Sequence, residues 1–473
     1  MRKTKIICTL GPATDKEGIL EALIREGMDV ARFNFSHGTH EEQKVRLEKL
    51  KTLRKQFDKP IAALLDTKGP EIRIGCFKDH KITLEEGQEF MLVNDEIDGT
   101  NERVSITYKD LYKDVQPGDS ILIDDGLVGM EVVNIVGKDI VCRVKNGGDI
   151  SDHKGVNVPG VELKMPFISP KDRDDLMFGI QEDFDFVAAS FTRTADDVRE
   201  MRKLLNDNGG QSINIIAKIE NQQGVDNIDA IIEEADGIMI ARGDMGVEIP
   251  LEHVPIIQQR IIEKVYEAGK VVITATQMLD SMMIHPRPTR AETTDVANAI
   301  AQGTSAIMLS GETAAGKYPV EALKMMVKIA VHMERNIDYN AIFRRRERSE
   351  DPDITNAISH ATCMTAIDLK ANAILAVSKT GNTARMISKY RPECLIAGCS
   401  SSEKVYRQLN LSWGILPLQI REEYSSEILC LRAIEAAQTH GIVEEGDKIV
   451  FTGGIPLGIP GRTNLIRVCI VGE

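Results

Sequence analysis

The chain has 473 residues, of which 42% are hydrophobic and 27% are charged, as in an ordinary globular protein. At roughly 100–200 residues per domain, this length predicts two to four domains, each able to bury a core without disulfides. Acidic residues outnumber basic ones, 72 to 58, which gives a net charge of -14. This excess excludes nucleic acids and anionic membranes as main partners, because there is no surplus of basic residues to bind them.

The N-terminus does not have the pattern of an export signal. Its apolar stretch covers only residues 6–10, whereas a signal peptide has an apolar core of about 7–15 residues. No run of 18 uncharged apolar residues is present, so we expect no membrane span. The eight cysteines form no CxxC pair, which predicts reduced thiols and a cytoplasmic location.

Apolar strand-like runs alternate with helical patterns through most of the first 337 residues. These runs are continuously apolar, as parallel strands buried on both faces are. Eight strands and eight helices predict a (β/α)8 TIM barrel, built from residues 1–69 and 167–337. The predicted strands are 5–10, 30–36, 61–67, 186–191, 214–219, 237–241, 271–277 and 306–309. The predicted helices are 15–26, 41–57, 171–180, 196–205, 225–235, 254–268, 291–301 and 320–333.

Residues 70–166 interrupt the barrel after its third strand. This segment is too long for an ordinary barrel loop, and its short β-like runs are separated by turn residues such as Asp98-Gly99 and Pro117-Gly118. We predict a small inserted β-barrel domain that acts as a lid over the carboxyl ends of the barrel strands. Its predicted strands are 72–74, 81–84, 89–93, 103–107, 120–123, 130–135 and 139–144.

Residues 338–473 show a different alternation and predict a C-terminal α/β open-sheet domain. The arginine cluster from Arg344 to Arg348 near its start is interrupted by Glu347, and we interpret it as a solvated linker. The predicted helices are 354–369, 383–390 and 425–439, with a further helix between the second and third strands. The predicted strands are 373–378, 395–399, 415–418, 448–452 and 465–471.

Polar residues follow the barrel strands at the ends that hold the active site in this fold. In the second strand, Arg32, Asn34 and Ser36 alternate and should point to one face. Such residues converging from several strands are hard to explain as solvated strand ends. The remaining polar residues at strand ends are Asp66 and Thr67 after strand three, Lys218 and Glu220 after strand five, Arg242, Gly243 and Asp244 after strand six, Thr276 after strand seven, and Ser310 and Glu312 after strand eight.

The types of these residues predict phosphoryl chemistry. Glu220 and Asp244 are hard oxygen ligands suited to Mg²⁺, which takes one or two carboxylates together with substrate oxygens. Arg32, Arg73 and Lys218 can hold a phosphoryl group and offset its developing charge. A second set, Asn34, Ser36, Asp66 and Thr67, offers oxygens with one formal charge, as for a monovalent cation. No Walker motif or GxGxxG follows a strand, so side chains and cations must hold the phosphate.

Several strings closely resemble the signature segments of the pyruvate kinase family. They are ARFNFSHG (31–38), LLDTKGPEIR (64–73), KGVNVPG (154–160), AKIEN (217–221), GIMIARGDMGVEIP (237–250), TATQMLDSM (274–282), PRPTRAE (286–292) and MLSGETAAGKYP (308–319). The resemblance covers almost the whole chain in the same domain order. It implies phosphoryl transfer from phosphoenolpyruvate to ADP, giving pyruvate and ATP in glycolysis through a metal-stabilised enolate that is then protonated.

The resemblance also implies a role for each site residue. Lys218 would stabilise the phosphoryl group and the enolate, and Arg32 would grip the phosphoryl group. Glu220 and Asp244 would bind Mg²⁺ or Mn²⁺, and Glu71 suggests the type that requires K⁺. The substrate carboxylate would be held by Thr276 with Gly243 and Asp244. The K⁺ positions would be Asn34, Ser36, Asp66 and Thr67, and the nucleotide positions Asn34, Phe35, Ser36, His37, Arg73 and Lys154.

Alternatives remain open at three points. The proton donor to the enolate is Thr276, Ser310 or an ordered water. A barrel lyase or aldolase acting on a pyruvate enolate would use similar carboxylates and an arginine, and an effector-binding scaffold with a dead site would have lost Lys218, Glu220 or Asp244. We also predict that the cleft is positively charged although the protein has a negative net charge, and that this positive charge is strongest with the cations bound.

The C-terminal domain contains a second candidate site. The segment Ser378, Lys379, Thr380, Gly381, Asn382 and Thr383 runs from a strand into a helix, and its hydroxyls and backbone N–H groups suit a phosphate. The loop over residues 453–464 would face it. The resemblance implies a sugar-phosphate or nucleotide effector here and a homotetramer. Some bacterial members carry an extra C-terminal domain, and we expect this protein to lack it.

Overall fold

Eight parallel strands close into a barrel in which neighbours in sequence are neighbours in space, the last strand pairing with the first. The structure is a computed structural model that describes residues 2–345, 353–457 and 462–473. The closed parallel barrel confirms the predicted fold class. Its strands are Lys5–Thr9, Val30–Asn34, Ala62–Asp66, Phe186–Ala189, Asn214–Ile219, Gly237–Ala241, Val271–Ala275 and Ala306–Leu309.

The barrel strands are apolar on both faces because each face is covered. Ile7, Leu64 and Ile273 belong to the core inside the barrel, while Cys8, Phe33 and Leu65 pack against the surrounding helices. The helices of this outer layer are Ile19–Glu26, His40–Phe57, Pro170–Gln181, Ala195–Asp207, Gln222–Asp226, Ile228–Glu234, Val254–Glu267, Arg290–Gln302 and Pro319–Glu334. Shorter helical turns at the strand ends are Arg242–Glu248, Leu251–His253, Asp280–Met283 and Gly311–Ala314.

The inserted segment forms a curved, mostly antiparallel sheet of seven strands with a separate two-stranded ribbon. The outer strands of the sheet approach each other through a bridge between Ile74 and Ile106 and a hydrogen bond from Gly75 N to Ser105 O of 2.8 Å. This contact gives the lid its barrel-like closure. Its strands are Ile72–Arg73, Lys81–Leu84, Glu89–Val93, Arg103–Ser105, Ser120–Ile123, Val128–Val136, Asp139–Asn146, Gly148–Ser151 and Gly155–Asn157, and one helical turn is Leu111–Asp114.

The C-terminal sheet has five strands, four of them parallel, with the last strand antiparallel at the edge. Leu411 from this part of the chain belongs to the hydrophobic core inside the barrel, and Lys5 Nζ donates to Ile415 O at 2.7 Å. The C-terminal sheet therefore closes the amino end of the barrel. Its strands are Ala373–Val377, Leu395–Ser400, Ile415–Gln419, Lys448–Gly453 and Leu465–Ile470, and its helical segments are Tyr339–Arg345, Ile354–Leu369, Asn382–Lys389, Glu403–Gln408, Leu409–Leu411 and Ser426–Thr439.

Three barrel strands end at least two residues earlier than the sequence predicts. The second ends at Asn34, and Ser36 lies in a turn where its N–H donates to Asn34 Oδ1 at 3.0 Å, so the predicted alternation stops before Ser36. The fourth ends at Ala189 and the seventh at Ala275. Phe191 and Thr276, just beyond these two strands, have φ of 54° and 68°, a left-handed conformation that a strand cannot contain.

Other differences lie in short elements. The predicted helix 15–26 begins at Ile19, after Gly18 with φ of 76°, and the predicted helix 225–235 divides at Asn227 into two short helices. Arg344 lies in a helix rather than a linker, and the rest of the predicted linker, residues 346–348, lies outside the described residues.

All eight cysteines are free thiols, as predicted. Across the described ranges, no helix is long and apolar enough to span a bilayer.

Candidate active site

A buried cluster of charges lies at the carboxyl end of the barrel, centred on Asp66. Arg32 Nε donates to Asp66 Oδ2 at 2.6 Å, and Lys218 Nζ donates to Asp66 Oδ1 at 3.1 Å. Asp66 is 1% exposed, and both cations are also buried. Burial disfavours the Asp66 carboxylate, but Arg32 and Lys218 outweigh this effect and hold its pKa below the usual value. The cluster therefore keeps two cations fixed beside one carboxylate.

Lys218 contacts a second carboxylate, Glu220, with Nζ 3.0 Å from Oε1. The other oxygen of Glu220 accepts a hydrogen bond from Phe191 N at 2.5 Å. The carboxyl group is fully buried and is repelled by the charge of Asp244 on the neighbouring strand end, and burial with this repulsion raises the pKa of Glu220 to about 7 despite Lys218. The structure thus brings Lys218, Glu220 and Asp244 together, as predicted from their strand positions.

Carboxylates are dense around this point. Burial and the charge of Asp244 raise the pKa of both Asp125 and Glu248. These acids offset part of the charge of the cationic side chains, and the positive charge expected of the cleft stays a prediction. Within the described ranges, no group of three or more His, Cys, Asp or Glu could hold a metal ion. A divalent cation here would bind a carboxylate pair and complete its shell with other oxygens.

The turn after the seventh strand contacts the turn after the sixth. Gly243 N donates to Thr276 Oγ1 at 2.7 Å, and this hydroxyl lies 2.6 Å from Ala275 O. The Arg242 guanidinium supports the left-handed turn, donating to Thr276 O at 2.8 Å and to Asp295 Oδ1 at 2.7 Å. Thr276 and the first N–H groups of the helix Arg242–Glu248 are therefore held at one position.

The loop after the second strand lies beside Asp66, because Asn34 pairs with Asp66 in the barrel register. Thr67 Oγ1 donates to Ala188 O at 3.2 Å on the far side of Asp66. Asn34, Ser36, Asp66 and Thr67 are thus brought to adjoining strand ends. The ring of Phe35 is buried against Phe178 and Phe184, so its side chain does not face a ligand.

A cleft of about 550 Å³ separates the lid from the barrel. Arg73 and Lys154 line it from the lid, and Asp244 and Glu248 line it from the barrel. Arg73 is held by Glu71, with Nη2 donating to Oε2 at 3.0 Å, and Lys154 Nζ donates to Asp124 Oδ1 at 2.9 Å. The other predicted nucleotide positions, from Asn34 to His37, are not among the described residues that line this cleft.

Ser190, which the sequence reading missed, is part of the charge cluster. Lys218 Nζ donates to Ser190 Oγ at 2.7 Å, and this hydroxyl donates to Thr67 O at 2.7 Å. Ser190 directly follows the fourth strand, so the criterion of a polar residue at the end of a barrel strand would have identified it too. Ser310, a predicted candidate for proton donation, has a buried hydroxyl with no hydrogen-bond partner among the described residues.

The predicted effector segment lines a pocket of about 90 Å³ in the C-terminal domain. Ser378, Thr380, Asn382 and Thr383 face it, whereas Gly381 forms the turn before the helix with φ of 79°. Thr383 Oγ1 lies 2.8 Å from Thr463 Oγ1 across the pocket. The facing loop contributes Gly453, Gly454, Ile455, Leu457, Arg462 and Thr463. Its residues 458–461 lie outside the described ranges.

Comparison with known families decides the relationship of this chain. The family model "Pyruvate kinase, barrel domain" matches residues 1–323, and "Pyruvate kinase, alpha/beta domain" matches residues 356–469. The chain belongs to the pyruvate kinase family. It is a phosphotransferase of the pyruvate kinase type, an enzyme of glycolysis, and it resembles the bacterial members.

Individual pyruvate kinases agree with this assignment. The pyruvate kinase of Clostridium acetobutylicum is 51% identical over 472 residues, covering 100% of both chains. The pyruvate kinase of Sporosarcina psychrophila is 48% identical over 100% of this chain and 81% of its own length. The crystal structure of a pyruvate kinase from Cryptosporidium parvum superposes with a TM-score of 0.94 at 39% identity, covering 99% of this chain and 96% of that one.

Proposed function

We propose that the chain transfers the phosphoryl group of phosphoenolpyruvate to ADP in the cleft between the barrel and the lid, releasing pyruvate and ATP. The observation that supports this site most strongly is the buried Arg32–Asp66–Lys218 cluster. Two cations fixed in a largely buried site can stabilise charge that develops on transferring oxygens without reorganising during the reaction. Phosphoryl transfer requires this kind of stabilisation because its catalysis depends mainly on positioning and electrostatics.

Arg32 and Lys218 contact the phosphoryl group in this proposal. Lys218 also faces the oxygen that becomes the enolate, and burial does not discharge it, because Asp66 and Glu220 hold its pKa above the usual lysine value. The substrate carboxylate binds at Thr276 and the N–H groups of Gly243 and Asp244, where the short helix begins. These contacts place the reacting bond over Lys218.

Glu220 and Asp244 fit a divalent cation, Mg²⁺ or Mn²⁺. They are hard oxygen ligands at the ends of neighbouring strands. When bound, such a cation supplies Lewis-acid stabilisation to substrate oxygens. Asn34, Ser36, Asp66 and Thr67 are proposed to hold K⁺, since they offer several oxygens and one formal charge at adjoining strand ends.

Nucleotide binding is proposed for Arg73 and Lys154 together with the loop Asn34, Phe35, Ser36 and His37. The first two residues belong to the lid and line the cleft. Lid closure would carry their charges toward the nucleotide phosphates and exclude water from the reaction. The same movement would join the two groups of nucleotide residues, which lie apart in this structure.

Further features are proposed on the family relationship. The boundaries remain 1–69 with 167–337 for the barrel, 70–166 for the lid and 338–473 for the C-terminal domain. The C-terminal pocket would bind a sugar-phosphate or nucleotide effector through Ser378, Thr380, Gly381, Asn382 and Thr383. The assembly would be a homotetramer in the cytoplasm.

A pyruvate-release assay tests the proposal. Pyruvate should form from phosphoenolpyruvate and ADP only with Mg²⁺ or Mn²⁺, and the rate should rise with K⁺. Lys218→Met should abolish turnover while the circular dichroism spectrum stays unchanged, and Lys203→Met, at an exposed helix position, serves as the matched control. Full activity of Lys218→Met would refute the role of Lys218. Turnover that is independent of K⁺ would refute the K⁺ site.

A further inference from the structure

A partly open cavity lies on the opposite side of the barrel from the proposed active site. Its volume is about 170 Å³, and its walls come from the barrel, the connecting segment and the C-terminal domain. Gly303 contributes from the barrel, Tyr339 from the connecting segment, and Arg391 and Trp413 from the C-terminal domain. Tyr266 adds a third aromatic ring. We refer to this space as the junction cavity.

Arg391 lines the junction cavity, and two of its buried nitrogens lack a hydrogen-bond partner in the described part of the chain. Arg391 is 6% exposed, and its guanidinium carbon lies 4.3 Å from the centre of the Trp413 ring. Nη2 donates to Gly303 O at 2.8 Å. Nε and Nη1 are buried and have no hydrogen-bond partner among the described residues. Buried donors of this kind are rare in folded proteins and call for a ligand, water or ion.

Tyr339 adds another buried group of the same kind. Its hydroxyl has no partner in the described part of the chain, and its ring packs against Trp413 with centroids 5.6 Å apart. The cavity thus has an apolar, aromatic wall and a small number of polar groups. This combination is typical of small-molecule sites.

Arg391 is the one charged residue among the described residues that line the cavity, and two acids, Glu334 and Glu393, lie near its wall. No carboxylate in the described ranges forms an ion pair with Arg391, and burial lowers the pKa of its guanidinium to about 9. Lys3 Nζ lies 4.0 Å from the centre of the Tyr339 ring. The Glu334 carboxylate accepts hydrogen bonds from the backbone N–H groups of Lys3 and Thr4, at 2.8 and 2.6 Å.

We infer that the junction cavity binds a small monocarboxylate, with its carboxylate on Arg391 and Tyr339 and its apolar part among the aromatic rings. At ~30 Å³ per water molecule, the volume has room for about five or six water-sized groups. A small carboxylate such as propionate fits this room. The Arg391 guanidinium has no ion-pair partner in the described ranges, and carboxylates form strong charge-assisted hydrogen bonds with arginine.

Trp413 provides a direct probe, because it is the single tryptophan of the chain. The full-length protein is titrated with propionate while Trp413 fluorescence is recorded, and calorimetry is run in parallel. Propionamide, which has nearly the same shape without the charge, is the matched control, and inorganic phosphate tests a more highly charged anion. We expect saturable binding of propionate with a Kd on the order of millimolar, as suits so few atoms, and at least ~10-fold weaker binding of propionamide.

Three variants locate the binding. Arg391→Met should abolish the propionate response, and Tyr339→Phe, which removes one hydroxyl, should weaken it several-fold while leaving the rings in place. Lys218→Met, at the proposed active site, should leave the response unchanged, so that failure of this inference is distinguishable from failure of the proposed function. Tyr339→Phe keeps the test valid if Arg391→Met does not fold.

The inference is overturned if neither fluorescence nor calorimetry detects saturable propionate binding, since the cavity then holds only water. Equal affinity for propionate and propionamide, or preferential binding of phosphate, also overturns it. So does a response that persists in Arg391→Met, an affinity that is unchanged in Tyr339→Phe, or a response that is lost in Lys218→Met.

Discussion

Ser190 offers the sharpest test of how the barrel positions Lys218. Its hydroxyl accepts a hydrogen bond from Lys218 Nζ at 2.7 Å and donates to Thr67 O at 2.7 Å, so it joins the lysine to the end of the third strand. Ser190→Ala removes this link and leaves Asp66 and Glu220 as the partners of Lys218. The change adds no atom to a closely packed turn, so the fold should be retained.

The size of the effect follows from the charge on the donor. A hydrogen bond to an ionised group contributes about 1.5–3 kcal/mol, and ~1.4 kcal/mol corresponds to a factor of ten in rate. If the bond serves mainly to align the ammonium group with the transition state, kcat should fall roughly 10- to 100-fold. The KM for phosphoenolpyruvate should change much less, because Arg32 and Thr276 still contact the substrate.

Steady-state pyruvate release measures this effect. Thr192→Val is the matched control: Thr192 is also fully buried in the same turn, but its hydroxyl donates only to a backbone carbonyl, Ala189 O, at 2.8 Å. This variant should keep kcat within about 3-fold of the parent. The reasoning about Ser190 is refuted if Ser190→Ala retains the parental kcat, or if both variants lose activity equally.

Three further predictions concern stability. Asp66→Asn should lower the unfolding free energy by ~3–5 kcal/mol, because it leaves buried cations without their carboxylate; an unchanged urea midpoint would contradict this. Arg407→Met should cost a similar amount, since Arg407 Nε donates to fully buried Asp185 at 2.7 Å; calorimetry that shows no earlier transition would argue against it. Glu71 is partly buried, but its hydrogen bonds to Arg73 and Lys68 outweigh burial and lower its pKa. Its ionised form therefore stabilises the fold fully above pH 4.5, and this stabilisation is lost as pH falls through the folded-state pKa. A carboxyl NMR titration of Glu71 with an unshifted midpoint would exclude this.

The barrel could be predicted from the sequence because its strands are buried on both faces and therefore appear as continuous apolar runs. The strands 214–219, 237–241 and 306–309 were predicted with the observed bounds. The strand ends at the site were not, since Thr276 and Phe191 adopt left-handed conformations that only tertiary contacts such as the Arg242 hydrogen bonds support. Residue type alone does not reveal such turns.

The lid was predicted less completely. Its strands 81–84, 89–93 and 120–123 were correct, but Gly148–Ser151 and Gly155–Asn157 were missed because they are short, polar and rich in glycine. The site residues came largely from position at strand ends and from resemblance to a family. The charge balance of the cleft could not be predicted, since it depends on acids such as Asp125 and Glu248 that approach from different elements.

The position of Leu411 shows that the domain boundary in the sequence does not coincide with the edge of the barrel core. This residue belongs by sequence to the C-terminal domain, yet its side chain is part of the barrel interior. A fragment ending near residue 337 would contain every barrel strand and still lack one piece of its own core, with the amino end of the barrel open to water. The catalytic half and the C-terminal half are therefore one folding unit at this point, and we expect the isolated barrel to be less stable than its complete set of strands suggests.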